Sequence, residues 1–456
     1  PHAFYWFDLS RPPASNAVRL GARNAVAEGQ ALPIITTQGA WGSVVADQDR
    51  YQLVQQLPDF LGDQPWFRGR SDSILNVSII DAIPLRPGEA STWLVPISVA
   101  YSDRDVESYL LALQSLPVDA DGKTGHELRL PIARLHSAVD GEAVLVDAIE
   151  EGITEASLAW VTDKRSEPLP GSLGELVVLR TDEGETAAPS RVISHVEEQS
   201  GNIRKGEERV LVKVLRHIGD GTHPEWEIGS ALTNNGFPHV PAVLGALEYR
   251  RAQQPPMTLA VLQALVPHEG NAWQFTLGVV DEFLSEAMSQ GVVLPQDFRP
   301  TAMALLDATD HLPPQPLASL LAAYLPFARL LGQRTAELHS ALASIQDRAA
   351  FAPEPQTTFS QRSLYQSMRG LTSGVLRALR HVMVNLDGEE RELAVNILNS
   401  EGALYDRFRT VLMQPLTGAK IRTHGDLHLG RSFGSMMILC SLTLKANRIA
   451  IWRSVA

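Results

Sequence analysis

The spacing of apolar residues changes character along the chain. Residues 1–10 alternate aromatic and polar side chains like a strand and then break at Arg11-Pro12-Pro13-Ala14-Ser15-Asn16, a composition suited to a linker. Asp49 to Leu57 places Leu53, Val54 and Leu57 at helical spacing, with Pro58 predicted to stop the helix. Ile74–Ile80 and Thr92–Val99 are short runs rich in β-branched residues, as strands are. Residues 141–180 mix both periods and end in the strand-like Leu176–Leu179. From Val192 the pattern reads strand (Val192–Val196), polar turn (Gln199-Ser200-Gly201-Asn202), strand (Val210–Leu215), and a helix opening at Pro224-Glu225-Trp226-Glu227-Ile228. Met257–Pro267 is a further strand, and beyond about 273 the chain turns mostly helical, most clearly over Pro326–Ala343, where the proline falls in the first turn.

The stretch from Val192 to Ile228 carries chemistry. A polar, Gly-bearing hairpin loop followed by a strand lysine can hold a nucleoside triphosphate: turn amides approach the phosphates and the lysine adds a point charge held by a helix glutamate. Lys213 and Glu227 are the expected ion pair, with Gln199, Ser200, Gly201 and Asn202 as the phosphate turn. Each residue also has a plainer role. A strand lysine is usually a solvated edge residue, and a turn glycine is usually there for its backbone freedom. The Met257–Pro267 strand is either a connector that pairs its backbone with an adenine edge, through Gln263 and Leu265, or simply a buried strand.

The second pattern is Ile421-Arg422-Thr423-His424-Gly425-Asp426-Leu427-His428-Leu429-Gly430. A carboxylate on such a loop can accept the proton of an attacking hydroxyl. Imidazole and carboxylate are also metal ligands, but the nearest upstream histidine is His381, and tandem spacing on one loop does not by itself build a site. A purely structural turn is the remaining alternative.

Composition narrows the partners. The 456 residues, at roughly 100–200 per domain, suggest two to four domains or lobes. The hydrophobic content of 44% is ordinary for a globular chain, and no apolar run reaches bilayer length, so no membrane association is expected. A formal net charge of −13 argues against a nucleic-acid partner and favours a small-molecule substrate. The sole cysteine, Cys440, can form neither an internal disulfide nor a cysteine metal cluster, and with no secretory leader visible a cytoplasmic location is expected.

Taken together these stretches resemble the maltokinases, relatives of the aminoglycoside phosphotransferases and protein kinases. The His-Gly-Asp-x-His loop, Glu198–Asn202 and the lysine strand carry the resemblance, with Gln64-Pro65-Trp66-Phe67-Arg68-Gly69-Arg70, Val266–Trp273, Leu331–His339 and Phe351–Glu354. It spans about residues 40–430, and seven ordered matches are more specific than any one. Phe4–Leu9 resembles the last strand of the β-domain of trehalose synthases, which occur fused to maltokinases, so residues 1–10 are expected to be a remnant of such an upstream domain.

The resemblance implies an α+β, bilobal kinase-like fold. Its parts would be an 11–37 linker, an extra N-terminal cap (38–140), an intermediate subdomain and N-lobe (141–266) and a mostly helical C-lobe (267–430). It implies ATP and Mg²⁺ as cofactors, maltose as substrate, maltose 1-phosphate for α-glucan synthesis as product, and association with trehalose synthase. Asp426 and His424 would be catalytic, His428 would meet the substrate, and Gln199–Asn202, Lys213, Glu227, Gln263 and Leu265 would hold the nucleotide.

After Gly430 the resemblance ends. The family continues with a Gln or Asn metal ligand and an Asp-Phe-Glu-Gly-Glu-Pro segment, whereas Arg431–Ala456 contains no acidic residue. Back-translated with permitted codons and read in a shifted frame, this tail can encode Asp-Phe-Glu-Gly-Glu-Pro across Leu442–Arg448, and the single-codon Met436-Met437 pair forces an aspartate. The expectation is therefore a frame-shifted or truncated, incomplete C-lobe that lacks its metal ligands. Two alternatives follow: a non-catalytic nucleotide- or sugar-binding fragment of a trehalose synthase fusion, or a kinase of the aminoglycoside or choline type.

Overall fold

A computed structural model of the chain describes residues 32–46, 49–69, 74–85, 92–102, 105–119, 124, 131–151, 167–182, 192–194, 210–264, 266, 270–289, 319, 321–413, 415, 416, 418–425, 427–433, 438, 439, 451 and 452. The described residues form a mixed α+β structure that divides into two compact units, one built from 6–338 with 426–445 and the other from 339–425 with the two chain ends.

The larger unit is dominated by strands: β1 (Ile34–Thr37), β2 (Ile74–Ile79), β3 (Ile83–Pro84), β4 (Thr92–Tyr101), β5 (Glu107–Pro117), β6 (Pro131–Ser137) and β7 (Gly141–Asp147). They continue with β8 (Leu169–Pro170), β9 (Gly174–Arg180), β10 (Val192–Ser194), β11 (Val210–Val214), β12 (His217–Ile218), β13 (Val243–Arg251) and β14 (Met257–Ala264). An eight-stranded sheet runs β1-β6-β7-β5-β4-β2, with β12 paired to β5 and β3 to β4; a six-stranded sheet runs β10-β11-β14-β13-β9-β8.

Helix α1 (Ser43–Ala46) leads into α2 (Arg50–Gly62), which covers the first sheet with Leu53, Leu57 and Leu61, each fully buried. The helix does not stop at Pro58 but runs through it. A mid-helix proline costs about 3 kcal/mol, and burial of Leu61 at about 2 kcal/mol, together with the packing of Phe60 against the same core, offsets it. Trp66 and Phe67 follow and pack on Tyr109 at ring separations of 6.1 and 5.1 Å. A Cβ on Gly69 would lie 2.4 Å from the Tyr101 ring, so only glycine lets the chain pass there.

A second correction concerns β10 and β11. They pair in parallel, Val192 opposite Val210, so they are not the two arms of a hairpin; parallel neighbours need a crossover connection. The Gln199–Asn202 turn lies outside the described residues.

One hydrophobic core joins the two sheets. Ile83, Leu94, Leu110 and Ala112 from the first pack with Leu176, Val212, Leu247, Tyr249, Leu259 and Leu262 from the second. Buried polar ties reinforce it. The Asp81 carboxylate accepts from the backbone amides of Ser172 (2.8 Å), Leu173 (3.0 Å) and Gly174 (3.0 Å) and from the Tyr249 hydroxyl (2.7 Å). Arg216 donates to the fully buried Asp147 at 2.5 Å and lies 4.5 Å over the Trp66 ring.

Helix α3 (Ala148–Glu151) follows β7, and α4 (Pro224–Asn234) follows β12. Helix α5 (Ala272–Ser289) opens on a reciprocal cap in which Asn271 Oδ1 accepts from Gln274 N (2.9 Å) and Gln274 Oε1 from Asn271 N (3.4 Å). Helix α6 (Tyr324–Ser344) carries Pro326 in its first turn, as its sequence predicts.

The smaller unit holds α7 (Thr358–Val382), α8 (Gly388–Asn399) and α9 (Glu401–Met413). A capping box between Thr357 and Ser360 starts α7, and Ser373 meets Tyr405 at 2.8 Å across α7 and α9. These helices leave Phe359, Leu371 and Met413 largely exposed, as is Val384 in the turn after α7. Among the described residues no helix is long and apolar enough to cross a membrane.

Candidate active site

Strand β11 alternates its side chains between two environments. Val212 and Val214 point into the core shared by the sheets, together with their cross-strand partners Leu262 and Ala260. Lys213 must therefore face the opposite side, as must Val261, its partner on β14. Gln263 stands opposite both Leu211 and Val243 in the ladder, so its side chain shares the face of Lys213, and the residue is buried.

Helix α4 covers this face. Gly229 permits a close approach, since a Cβ there would lie 2.4 Å from Val243 Cγ2. Thr233 Oγ1 accepts from Val243 N at 2.8 Å and fixes the same contact. The helix begins at His223, whose Nδ1 accepts from Glu225 N at 3.3 Å, and Pro224 occupies the first turn, where its missing N–H costs nothing.

The ammonium of Lys213 is hydrogen-bonded to the carboxylate of Glu225, the two residues retaining only 6% and 3% of their surface. This corrects the expected partner, Glu227, which is half-buried two residues further along. Two residues are 200° of helical rotation, so the two carboxylates leave α4 on opposite sides. The large apolar residues Ile228 and Leu232 mark the stripe that faces the sheet, and Glu225 lies on it three and seven positions earlier. That periodicity was the signal for the right glutamate.

His223 is the residue that sequence reasoning missed. Burial first, then the charge of Lys213 and that of His217, push its pKa down to about 4. The imidazole is thus neutral at physiological pH, as it must be for Nδ1 to accept the capping hydrogen bond.

The His-Gly-Asp segment is only partly described. Ile421, Arg422, Thr423 and His424 are buried, with the Arg422 guanidinium 5.8 Å over the Phe351 ring. Gly425 has φ +81°, in the left-handed region that favours glycine. His428 accepts from Gly430 N through Nδ1 at 3.1 Å and starts a short turn at Leu429. Asp426, Gln199, Ser200, Gly201, Asn202 and Leu265 lie outside the described residues. The structure therefore gathers Lys213, Gln263, Glu225 and His223 at one sheet face. His424 belongs to the smaller unit and His428 to the larger.

The Leu331–His339 segment forms a local polar lock: Gln333 and Arg334 donate to Glu337 at 2.8 and 2.7 Å, and His239 stands 3.6 Å from it. The Arg334 hydrogen bond, foremost, holds the Glu337 carboxyl below its ordinary range. Among the described residues no group of three His, Cys, Asp or Glu side chains is placed to hold a metal ion. Residues 431–456 contain no aspartate or glutamate.

No protein-family model matches the chain. Among solved structures, it is similar to a glucosamine kinase in crystal form B, at 16% identity and a TM-score of 0.47, over 90% of this chain and 73% of that one. It is also similar to glucosamine kinase in complex with glucosamine, ADP and inorganic phosphate, at 16% identity and a TM-score of 0.44, over 91% of this chain and 74% of that one.

Proposed function

We propose that the chain is built as a phosphotransferase that moves the γ-phosphoryl group of ATP to the anomeric hydroxyl of maltose, giving ADP, maltose 1-phosphate and a proton. The buried Lys213–Glu225 pair carries this reading. Burying an ion pair is costly and seldom stabilises more than apolar residues would, so an ammonium held at one sheet face has a reason to be there if an anion approaches it. Lys213 would neutralise α- and β-phosphate oxygens, Glu225 would fix its position, and a neutral His223 would hold the helix start that presents Glu225.

On the acceptor side Asp426 would take the hydroxyl proton as the sugar oxygen attacks the γ-phosphorus and the bond to the β–γ bridging oxygen breaks. Gly425, His424 and His428 would set the loop that presents it. No step is assigned to magnesium, since among the described residues no group of three His, Cys, Asp or Glu side chains is placed to hold a metal ion.

A second reading has its own observation. Residues 431–456, where the resembled family carries its acidic segment, hold no acidic side chain, which fits a chain that binds nucleotide or sugar without turnover. ³¹P NMR of the chain mixed with ATP, MgCl₂ and maltose, beside a version whose tail is restored to the alternative reading frame, separates the two. The kinase reading expects the sugar 1-phosphate signal from the restored chain and its loss in Asp426→Asn. Undiminished turnover by Asp426→Asn would overturn the mechanism; nucleotide binding with no product from either chain would establish the second reading.

A further inference from the structure

The first sheet of the larger unit carries a cavity of about 700 Å³, open to solvent, that lies among the β1–α1 turn, the start of α2 and the first residues of β4. Gln38, Gly39, Gly42, Ser43, Asp49 and Trp93 line it. Its polar edge is pre-arranged. The Thr37 hydroxyl donates to Asp49 Oδ2 at 2.6 Å and accepts from Gly39 N at 3.0 Å, and Ser43 Oγ lies 2.7 Å from Thr37 Oγ1 and donates to Ala40 O at 2.8 Å.

These bonds occupy one carboxylate oxygen. Asp49 Oδ1 and the side-chain amide of the exposed Gln38 carry no hydrogen bond among the described residues. The half-buried Trp93 provides an indole wall, and Gly39 and Gly42 leave the backbone open to close approach.

The chemistry of the lining selects a ligand class. Among the described residues no lysine, arginine or histidine lines the cavity, while the acidic Asp49 does, so the lining disfavours phosphate and carboxylate ligands. Asp49 is the one carboxylate among the described lining residues, too few for a divalent cation, which takes about six oxygen ligands. A purely apolar ligand would leave Asp49 and Gln38 desolvated without partners. A ring with hydroxyls on its edge and C–H groups on its face satisfies every element at once: the face covers the indole, and the hydroxyls donate to Asp49 and bridge to Gln38. We propose that this cavity is a binding subsite for a neutral saccharide, seated on Trp93 and anchored by Asp49 and Gln38, separate from the Lys213 face. It requires no phosphoryl transfer, so it stands apart from the kinase reading.

The test is calorimetric titration of the full chain with maltotriose, without nucleotide. Binding should be weakened about tenfold or more by Asp49→Asn and by Gln38→Ala, each of which removes an anchoring hydrogen bond, and abolished by Ala40→Arg, which fills the mouth from an exposed position. Trp93→Ala should act in the same direction, and circular dichroism melting separates loss of the platform from loss of fold. Lys213→Met/Glu225→Leu, which removes both charges of the buried pair, should leave this binding unchanged, which keeps the outcome independent of the transferase proposal. Absence of maltotriose binding, or binding indifferent to Asp49→Asn, Gln38→Ala and Ala40→Arg, overturns the assignment.

Discussion

Glu225→Gln is the sharpest perturbation of the candidate site. The substitution keeps the shape of the side chain and removes its charge, leaving the Lys213 ammonium buried at 6% exposure without a counter-ion. Removing one partner of a buried pair costs roughly 3–5 kcal/mol, because the remaining charge is desolvated and uncompensated. Glu227→Gln alters a half-buried carboxylate that leaves α4 on the side away from Lys213 and should cost less than Glu225→Gln. The double replacement Lys213→Met/Glu225→Leu removes both charges and fills the space with carbon, so it should recover most of the loss while phosphoryl transfer stays absent. Urea unfolding with hydrogen exchange read at β11 and α4 measures the local cost, since the two units need not unfold together. Equal losses in Glu225→Gln and Glu227→Gln, or a double variant no more stable than Glu225→Gln alone, would refute the assignment of the pair.

Three further outcomes follow from the geometry. The pKa of His223 is held at about 4 against an ordinary 6.5, so between those values the unfolded chain binds a proton that the folded chain does not. Its stability contribution is complete above about pH 6.5 and is lost as pH falls toward 4, by about 3 kcal/mol at 1.36 kcal/mol per unit. His223→Asn keeps a capping acceptor without a titrating group and should flatten that part of the urea-midpoint profile; an unchanged slope would assign the acid sensitivity elsewhere. Asp81→Asn should lower stability by about 3 kcal/mol, since its charge accepts the amides of the Ser172–Gly174 turn. Gly171→Ala should cost a similar amount, because its Cβ would sit 2.3 Å from Asp81 Oδ2, and a melting temperature at parental level in both would remove the turn from the ties between the sheets.

Elements with one clear period were legible in the sequence. The β-branched runs at 74–80 and 92–99 and the helix from Pro326 match β2, β4 and α6 closely. Lys213 could be picked out because a lysine between valines conflicts with a buried strand, and such conflicts tend to mark function. The failures share one cause: information that lies across the fold rather than along it. Pro58 stops a helix in local terms, and only the burial of Leu61 and the packing of Phe60 explain why the helix continues. Two strands separated by a polar turn read as a hairpin, while their parallel pairing depends on what else joins the sheet. The expectation of Glu227 rests on its place in the helix opening, whereas the Ile228–Leu232 stripe points to Glu225. His223 gave no signal at all, because its neutrality comes from burial beside Lys213 and His217.

The sheet that carries Lys213 also explains why the first sheet is more than an appendage. Val212 and Val214, on either side of Lys213, pack into a core supplied in part by β3, β4 and β5 of the first sheet. The direction of Lys213 is set by those neighbours, since a strand that buries Val212 on one side must place the lysine on the other. Past the end of β11, Arg216 is clamped between Asp147 and the Trp66 ring, and β12 then joins β5, with His217 Nε2 3.7 Å from Glu107. The chain thus leaves the lysine strand, adds an edge to the first sheet, and returns through Gly221 and His223 to start the helix that supplies Glu225. The segment from Lys213 to Glu225 therefore runs along the first sheet before α4 docks on the second, and a disturbance at Asp147 or Trp66 should reach the start of α4 without touching the ion pair. Trp66→Ala should accordingly loosen β12 and the start of α4 in hydrogen exchange while β13 stays protected; uniform loosening of the whole larger unit would mean that the first sheet supports the fold but does not position the lysine.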